Sequence, residues 1–245
     1  MAENDRERHH KALLAPLRMA LYDFEPKAVP AVLQRLFAPD AAVHLAFPFE
    51  DLAGADGLWE QAWQPLGQAF PDLERRDTIV LAGRTQAGAD WVGCCGYYTG
   101  TFARPFLDIP PTGHQASLRF HEFYRFADDR VVEFQALWDL PELMMQAGAW
   151  PLAPSLGREW HVPAPATQDG LAISANAAQS QASFTLVKTM LEGLAKFAQG
   201  GVDAMRLPDY WHPRMSWYGP SGIGTCRGIS GFRNWHQIPF LNAMP

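Results

Sequence analysis

Apolar residues in the segment 11–37 recur at intervals of three and four, which is the spacing of one helical face. Pro26 and Pro30 interrupt this segment, and proline is poorly tolerated inside a helix. The pattern therefore predicts two helices rather than one. A short strand is predicted at Ala42–Ala46, and a further helix is predicted from Gly57 to Phe70.

From about residue 78 the pattern becomes extended, with many β-branched and aromatic residues between turn-forming segments. The predicted strands are Thr78–Ala82, Trp91–Phe102, Ala116–Ala127 and Arg130–Trp138. Asp128 and Asp129 separate the last two strands and favour a hairpin. Helices followed by a run of antiparallel strands are typical of the α+β class, so this is the predicted fold class.

Residues 151–180 are rich in Pro, Ala, Ser and Gln, which predicts a linker or an extended arm. The segment Gln181–Gln199 returns to helical spacing. These changes in composition and in the spacing of apolar residues predict a first domain at 10–150, a linker at 151–180 and a further segment at 181–245.

The chain also shows internal similarity at a spacing of 174 positions, carried mainly by Gly and Pro, whose positions are set by the backbone. The matching pairs are Pro39/Pro213, Gly54/Gly228, Gly57/Gly231, Pro65/Pro239, Ala69/Ala243 and Pro71/Pro245. We interpret 181–245 as an incomplete second copy of the first domain, without a sheet for its helices. Further sequence, the first domain or a partner chain, as in a homodimer, would have to cover those helices.

Composition narrows the classes of function. The chain has 245 residues and a net charge of −6, without a cluster of Lys and Arg, which argues against nucleic-acid binding. Its apolar runs are shorter than the roughly 20 residues of a membrane span. The three cysteines form no CxxC pair, and the amino terminus does not resemble a signal peptide. We expect a soluble cytoplasmic protein that binds neither nucleic acid nor membrane.

The strand region carries a resemblance to a known family. Its motifs are Tyr97–Phe102, the turn Ile109–His114 with Pro-Pro-Thr-Gly, the hairpin Phe123–Glu133, Asp139, and Gln146–Gly148. Together they resemble the SnoaL-like polyketide cyclases of the nuclear transport factor 2-like superfamily. The resemblance covers about 15–150 and implies a cone-shaped, curved antiparallel sheet packed on helices, a cystatin-like α+β roll with a pocket inside.

The resemblance also implies an activity. Founding members of the family close polyketide rings by intramolecular aldol condensation without metal or cofactor, and an Asp is the acid/base group. Asp139 matches this Asp, although Phe134 and Gln135 stand where the family often has His-Trp. An alternative role for Asp139 is the N-cap of a helix at Leu140–Ala147, since Asp before Leu-Pro-Glu is an ordinary cap.

Other side chains are candidates for the same site. His121 could be a second acid/base group or an enolate donor, or a structural histidine. Aromatic residues could contact a flat substrate or belong to the core, and these are Trp91, Tyr97, Tyr98, Phe123 and Trp138. The predicted function is a cofactor-free cyclase or isomerase-type catalyst acting on a small apolar carbonyl compound. The alternative is a non-catalytic module that binds a small molecule in the same fold.

Overall fold

The structure is a computed structural model that describes residues 3–159, 171 and 176–243. Two compact units divide these residues, and the first contains residues 3–150 and 171. The second is built from residues 151–159 and 176–243. Most of the predicted linker therefore lies outside the described residues or within the second unit.

The first unit begins with helices and continues with strands, as its sequence pattern predicts. Its helices are α1 (Glu3–Asp23), α2 (Ala28–Leu36), α3 (Gly54–Leu58), α4 (Gln64–Ala69) and α5 (Leu140–Gln146), and a π-helical turn (Trp59–Trp63) joins α3 to α4. Its strands are β1 (Phe37–Leu45), β2 (Asp51–Leu52), β3 (Glu74–Arg84), β4 (Asp90–Thr101), β5 (Gln115–Ala127) and β6 (Arg130–Trp138).

These six strands form one sheet in the order β2-β1-β6-β5-β4-β3. The strands β3 to β6 form a continuous antiparallel meander, which confirms the predicted order of the three long strands. The strand β1 pairs in parallel with β6, so the sheet is mixed at this one junction. Irregular register at Asp77/Ile79 and Arg125/Phe126 is typical of bulges, which bend a sheet. The predicted α+β fold with a curved, mainly antiparallel sheet on helices is confirmed.

The core lies between the helices and one face of this sheet. The helices contribute Leu14, Leu17, Trp63 and other fully buried side chains, and β5 contributes Phe120 and Tyr124. Alternation along a strand places every second side chain on the same face. The face of β5 with Phe120, Glu122 and Tyr124 is therefore the concave, helix-covered face, whereas Phe123 projects from the opposite face and is exposed.

The predicted boundaries of two strands were too short. The strand β3 begins at Glu74 rather than at residue 78, although its first residues are charged. They belong to the strand because Arg75 and Asp77 find partners of opposite charge in the interior. The strand β1 begins at Phe37, and its pairing with β6 is irregular between Phe37 and Ala42.

The second unit is small and mostly helical. Its helices are α6 (Ala177–Leu194), α7 (Phe197–Ala204), α8 (Gly228–Phe232) and α9 (Ile238–Ala243), with a π-helical turn (Arg233–Gln237) between α8 and α9. Its strands β7 (Ser216–Tyr218) and β8 (Thr225–Arg227) pair antiparallel. A small core forms around Met205, Leu207 and Phe232.

Candidate functional site

A buried carboxylate lies at the centre of the concave face. Glu122 has no exposed surface, and each of its oxygens accepts two hydrogen bonds. Tyr98 Oη and Trp138 Nε1 donate to Oε1 over 2.8 and 3.1 Å. Tyr124 Oη and Arg75 Nη1 donate to Oε2 over 2.7 and 2.5 Å. The strand β5 supplies Glu122 and Tyr124, and β3, β4 and β6 each supply one further residue, so the meander itself assembles the cluster.

Arg75 connects this carboxylate to a second acid. Its guanidinium is completely buried, lies 4.1 Å from the centre of the Phe120 ring, and also binds Asp77 over 3.0 Å. Asp77 in turn accepts a hydrogen bond from Arg18 Nε over 2.9 Å. Burial acts to lower the pKa of Arg75, but Glu122, Tyr98, Tyr124 and Asp77 together outweigh it, and the pKa is raised well above its ordinary value. The result is a buried chain of alternating charges from α1 to β5.

The two tyrosines of the cluster are hydrogen-bond donors rather than bases. Tyr98 Oη accepts hydrogen bonds from Trp63 Nε1 and Arg75 Nη1, both over 2.9 Å, while it donates to Glu122. Burial and the charge of Glu122 raise the pKa values of Tyr98 and Tyr124 well above their ordinary range. Both hydroxyls therefore keep their protons at neutral pH.

Two cavities adjoin the helical side of the first unit. A cavity of about 400 Å³ is bordered by Arg18, Met19, Tyr22, Arg75 and Asp77, so it adjoins the buried chain of charges. A larger cleft of about 640 Å³ is lined by aromatic and acidic side chains, among them Tyr22, Phe24, Trp59, Asp72 and Glu74. Both volumes suit a small organic molecule.

Asp139 caps a helix and forms an ion pair. Its Oδ1 accepts a hydrogen bond from the backbone N–H of Glu142, which confirms that it is the N-cap of α5. Its Oδ2 lies 2.7 Å from Arg119 Nη2. Both carboxylate and guanidinium are nearly buried. Because Arg119 alternates with Phe120 and Glu122 along β5, this pair lies away from the concave face.

His121 and Tyr97 lie on the same side of the sheet as Arg119. Neighbouring strands place Tyr97 directly opposite Arg119, and His121 follows Arg119 on the same face of β5. Burial lowers the pKa of His121, the charge of Arg119 lowers it further, and Asp139 partly offsets both effects. The structure thus brings Asp139, His121 and Tyr97 together around Arg119, but separates them from Glu122.

The remaining predicted ligand-contact residues divide between the two faces. Tyr98 and Trp138 belong to the buried cluster around Glu122. Trp91 and Phe123 project from the opposite face, where the ring of Phe123 packs over Gly93. A Cβ atom at position 93 would lie 3.1 Å from that ring, so the glycine permits the ring to lie flat. Roles in catalysis or in ligand contact remain predictions for all seven residues.

Sequence reasoning missed Glu122, Tyr124, Arg75 and Asp77 as site residues. The adjacent Arg75 and Arg76 are a pair rather than a basic patch, and strand alternation sends one of the two side chains inwards. An acid flanked by aromatic residues at alternate positions, as in Phe120, Glu122 and Tyr124, is the sequence signal that could have located the cluster.

Substitution of Asp139 should separate its structural roles. Asp139→Ala removes both the cap and the ion pair, and we expect it to lower the free energy of unfolding by about 2 kcal/mol. Asp139→Asn keeps a capping oxygen and should cost about half as much. Urea denaturation followed by circular dichroism measures both values. Equal losses in the two variants would show that the cap contributes nothing.

The lowered pKa of His121 predicts that acid destabilises the protein. As the pH falls below 6.5, the ordinary value for His, the unfolded chain binds a proton that the folded state resists. Stability should therefore decrease from pH 6.5 towards the lowered pKa. His10 and His236 are shifted in the same direction by burial. We expect His121→Gln to reduce this slope in urea titrations between pH 7 and pH 5, and an unchanged slope would contradict the assignment.

Within the described residues, no three His, Cys, Asp or Glu side chains are grouped as ligands of a metal ion. Burial raises the pKa of the Cys94 thiol to about 12, which makes it unreactive. In the same described ranges, no helix has the length and apolar character needed to cross a membrane.

Comparison with known proteins places this geometry in a family. The family model of the SnoaL-like polyketide cyclases matches residues 17–147. Among solved structures, AclR from Streptomyces galilaeus, proposed to be a hydroxylase, is 23% identical with a TM-score of 0.50, and the match covers 60% of this chain and 90% of that chain. No curated protein matches.

Two further solved structures are similar. IdmH from Streptomyces antibioticus, proposed to be a polyketide cyclase, is 25% identical with a TM-score of 0.46, covering 57% of this chain and 98% of that one. A SnoaL-like protein from Jannaschia sp. CCS1 is 22% identical with a TM-score of 0.49, covering 60% and 95%. The family match spans more than half of the chain and almost all of the first unit. The chain therefore belongs to the SnoaL-like polyketide cyclase family.

Proposed function

We propose that the first unit is a cofactor-free acid/base catalyst that acts on a small apolar carbonyl compound, in the manner of a polyketide cyclase. One observation carries the proposal: a fully buried carboxylate, Glu122, lies beside two protonated phenol hydroxyls on the concave face. Buried charges such as that of Glu122 seldom increase stability. Groups with shifted pKa values, such as the hydroxyls of Tyr98 and Tyr124, concentrate at functional sites. Membership of the family supports the same class of reaction.

The cluster contains the groups that an aldol ring closure requires. Glu122 would accept a proton from the carbon next to a carbonyl group, and the C–H electrons would form an enolate. Once Glu122 holds that proton and is neutral, Tyr98, Tyr124 and Trp138 would turn their hydrogen bonds from Glu122 to the enolate oxygen. The enolate carbon would then attack a second carbonyl of the same molecule, forming the new C–C bond. The proton would finally return to the resulting alkoxide.

Asp139 is the competing assignment for the acid/base group. The family resemblance favours it, and its nearly buried carboxylate is close to His121, which could assist it. Its cap and its ion pair with Arg119 give it structural roles, but these do not exclude catalysis. The geometry favours Glu122, because Glu122 lies on the concave face with the donors that an enolate needs.

Proton exchange at carbon tests the proposal without knowledge of the natural substrate. The protein is incubated in D₂O with 2-tetralone or with a cyclic β-keto ester, and proton NMR follows the loss of the signals next to the carbonyl. We expect exchange well above the buffer rate at equal pH. If the protein accelerates exchange in none of a panel of such compounds, acid/base catalysis at carbon is contradicted.

A second candidate function is non-catalytic binding of a small molecule. It is favoured by the cleft of about 640 Å³ beside Tyr22, Phe24 and Trp59, which does not include Glu122. Titration of the same compounds followed by tryptophan fluorescence would detect it. Saturable binding that Trp59→Leu abolishes, without any proton exchange, would favour this second function.

A further inference from the structure

The helix α1 carries a second stripe of side chains beside its core stripe. The core stripe contains Leu14, Leu17 and Leu21, which are completely buried. The second stripe recurs at intervals of three and four and consists of Ala15, Arg18, Met19 and Tyr22. Surface helices usually have polar residues beside their core stripe, yet Met19 and Tyr22 are 60% and 37% exposed. The second stripe is therefore an exposed, largely apolar surface with one charge, that of Arg18.

The strand β3 forms the opposite wall of the cavity of about 400 Å³ that this stripe borders. It is an edge strand of the sheet, and its pairing with β4 passes over Thr78, which is typical of a bulge. Bulges change the direction of neighbouring side chains. Three consecutive residues of β3, Arg75, Arg76 and Asp77, all border the cavity. The cavity thus lies between one helix and the margin of the sheet.

The lining of this cavity is rich in positive charge, although the whole chain has a net charge of −6. The described residues that border it include three arginines and one carboxylate. Two of the arginines are already compensated by acids. Arg75 pairs with Glu122 and Asp77, while Arg76 pairs with Glu74 and lies 5.0 Å from the centre of the Tyr22 ring. Arg18 is the arginine that remains to be accounted for.

Arg18 stands at the end of the buried chain of charges. Three quarters of its side chain is buried, and its Nε atom donates to Asp77, an acid that it shares with Arg75. Within the described residues, Asp77 is the one acceptor that Arg18 contacts, and the two Nη atoms have none. A guanidinium presents parallel N–H groups that match the two oxygens of a carboxylate. A carboxylate bound to Arg18 would continue the alternation of charges that runs to Glu122.

We propose that the cavity between α1 and β3 binds a small organic monocarboxylate with a flat apolar body. Arg18 pairs with the carboxylate, and the apolar body covers Met19 and Tyr22. The volume of about 400 Å³ is sufficient for such a molecule. A single negative charge fits better than the two of a phosphate, because Asp77 lies beside Arg18 and repels an anion. The proposal does not rest on catalysis at Glu122, since binding alone defines it.

Titration with 2-naphthoate tests the proposal on the full chain. The methionine methyl groups are labelled with ¹³C, and the signal of Met19 is assigned with the variant Met19→Leu. We expect 2-naphthoate to shift this signal in a saturable manner. The uncharged 2-naphthamide has a similar shape and should bind at least about fivefold more weakly. An unshifted Met19 signal or equal affinities overturn the proposal. Tighter binding of 2-naphthyl phosphate also overturns it, because the ligand would then belong to another class.

Two arginine substitutions provide a matched comparison. Arg18→Gln removes the partner of the carboxylate and should weaken binding of 2-naphthoate at least about tenfold, while 2-naphthamide changes less than about twofold. Arg35→Gln removes an exposed arginine of α2 and should leave both affinities unchanged within about twofold. Equal effects of the two substitutions would show that the anion responds to the overall charge of the chain rather than to Arg18, and the proposal would be wrong.

A substitution at Met19 avoids the loss of compensation at Asp77 that Arg18→Gln causes. Because Met19 is 60% exposed, its replacement leaves the core intact. At low salt Met19→Glu should bind 2-naphthoate about fivefold more weakly than Met19→Gln does, as followed by the NMR signals of the ligand. Equal affinities of the two variants would contradict the proposal. So would a loss of binding in Trp59→Leu, because the ligand would then occupy the larger cleft that Trp59 lines.

Discussion

Glu122→Gln should slow proton exchange at the carbon next to a ketone by at least about a hundredfold. The amide has nearly the shape of the carboxylate, and its one oxygen can still accept the hydrogen bonds from Tyr98 and Trp138. It cannot accept a proton from carbon, so the chemical step is lost while the packing around position 122 is kept. The measurement is the NMR exchange assay in D₂O, with circular dichroism to verify folding.

Two further variants make this result decisive. Glu133→Gln removes a partly exposed carboxylate that is paired with Arg125, and should leave exchange unchanged. Asp139→Asn removes the competing candidate while keeping a capping oxygen. If Asp139→Asn abolishes exchange and Glu122→Gln does not, the family-based assignment is correct and our assignment to Glu122 is wrong.

Arg75→Met should lower the free energy of unfolding by about 3 to 5 kcal/mol. This is the typical cost of removing one partner of a buried ion pair, because the other partner is then a buried charge without compensation. Arg75 is completely buried and compensates both Glu122 and Asp77. Methionine fills part of the volume but leaves the carboxylate of Glu122 without its cation. Urea denaturation followed by circular dichroism measures the loss.

A partly exposed ion pair offers the matched control. Arg125→Met breaks the half-exposed pair with Glu133 and should cost less than about 1 kcal/mol. The double variant Arg75→Met/Glu122→Leu should be more stable than Arg75→Met alone, because no uncompensated charge remains at position 122. If the double variant loses the sum of the two single losses, the two residues are not energetically coupled.

The sequence predicted the strands of the meander well because their aromatic and β-branched residues are continuous. It predicted the start of β3 poorly, since a run of charged residues from Glu74 to Asp77 is typical of a loop. Only the structure reveals that Arg75 and Asp77 pair inside the fold with Glu122 and Arg18. A local pattern cannot contain that information, because the partners are distant along the chain.

Strand alternation separated His121 from Glu122, but it could not tell which of them faces the helices. The helices decide this, because α1 and the segment α3–α4 cover the face with Phe120 and Tyr124. The predicted site residues consequently fall into two groups, one with Asp139 around Arg119 and one with Trp138 around Glu122. Asp139 was identified by the family resemblance and by the N-cap pattern of the sequence. Neither argument contains information about which face of the sheet the helices cover, so neither could place Asp139 relative to Glu122.

The parallel pairing of β1 with β6 has a consequence for how the first unit folds during synthesis. The strand β1 leaves the ribosome early, yet its neighbour β6 is the last strand of the unit to be made. Until then, Val43 and Leu45 have only the short strand β2 beside them. The meander β3–β6 can form from contacts between successive strands, whereas closure by β1 requires a long loop and is slow. Nascent chains arrested before Arg130 should therefore depend on chaperones, and release of Trp138 should end that dependence.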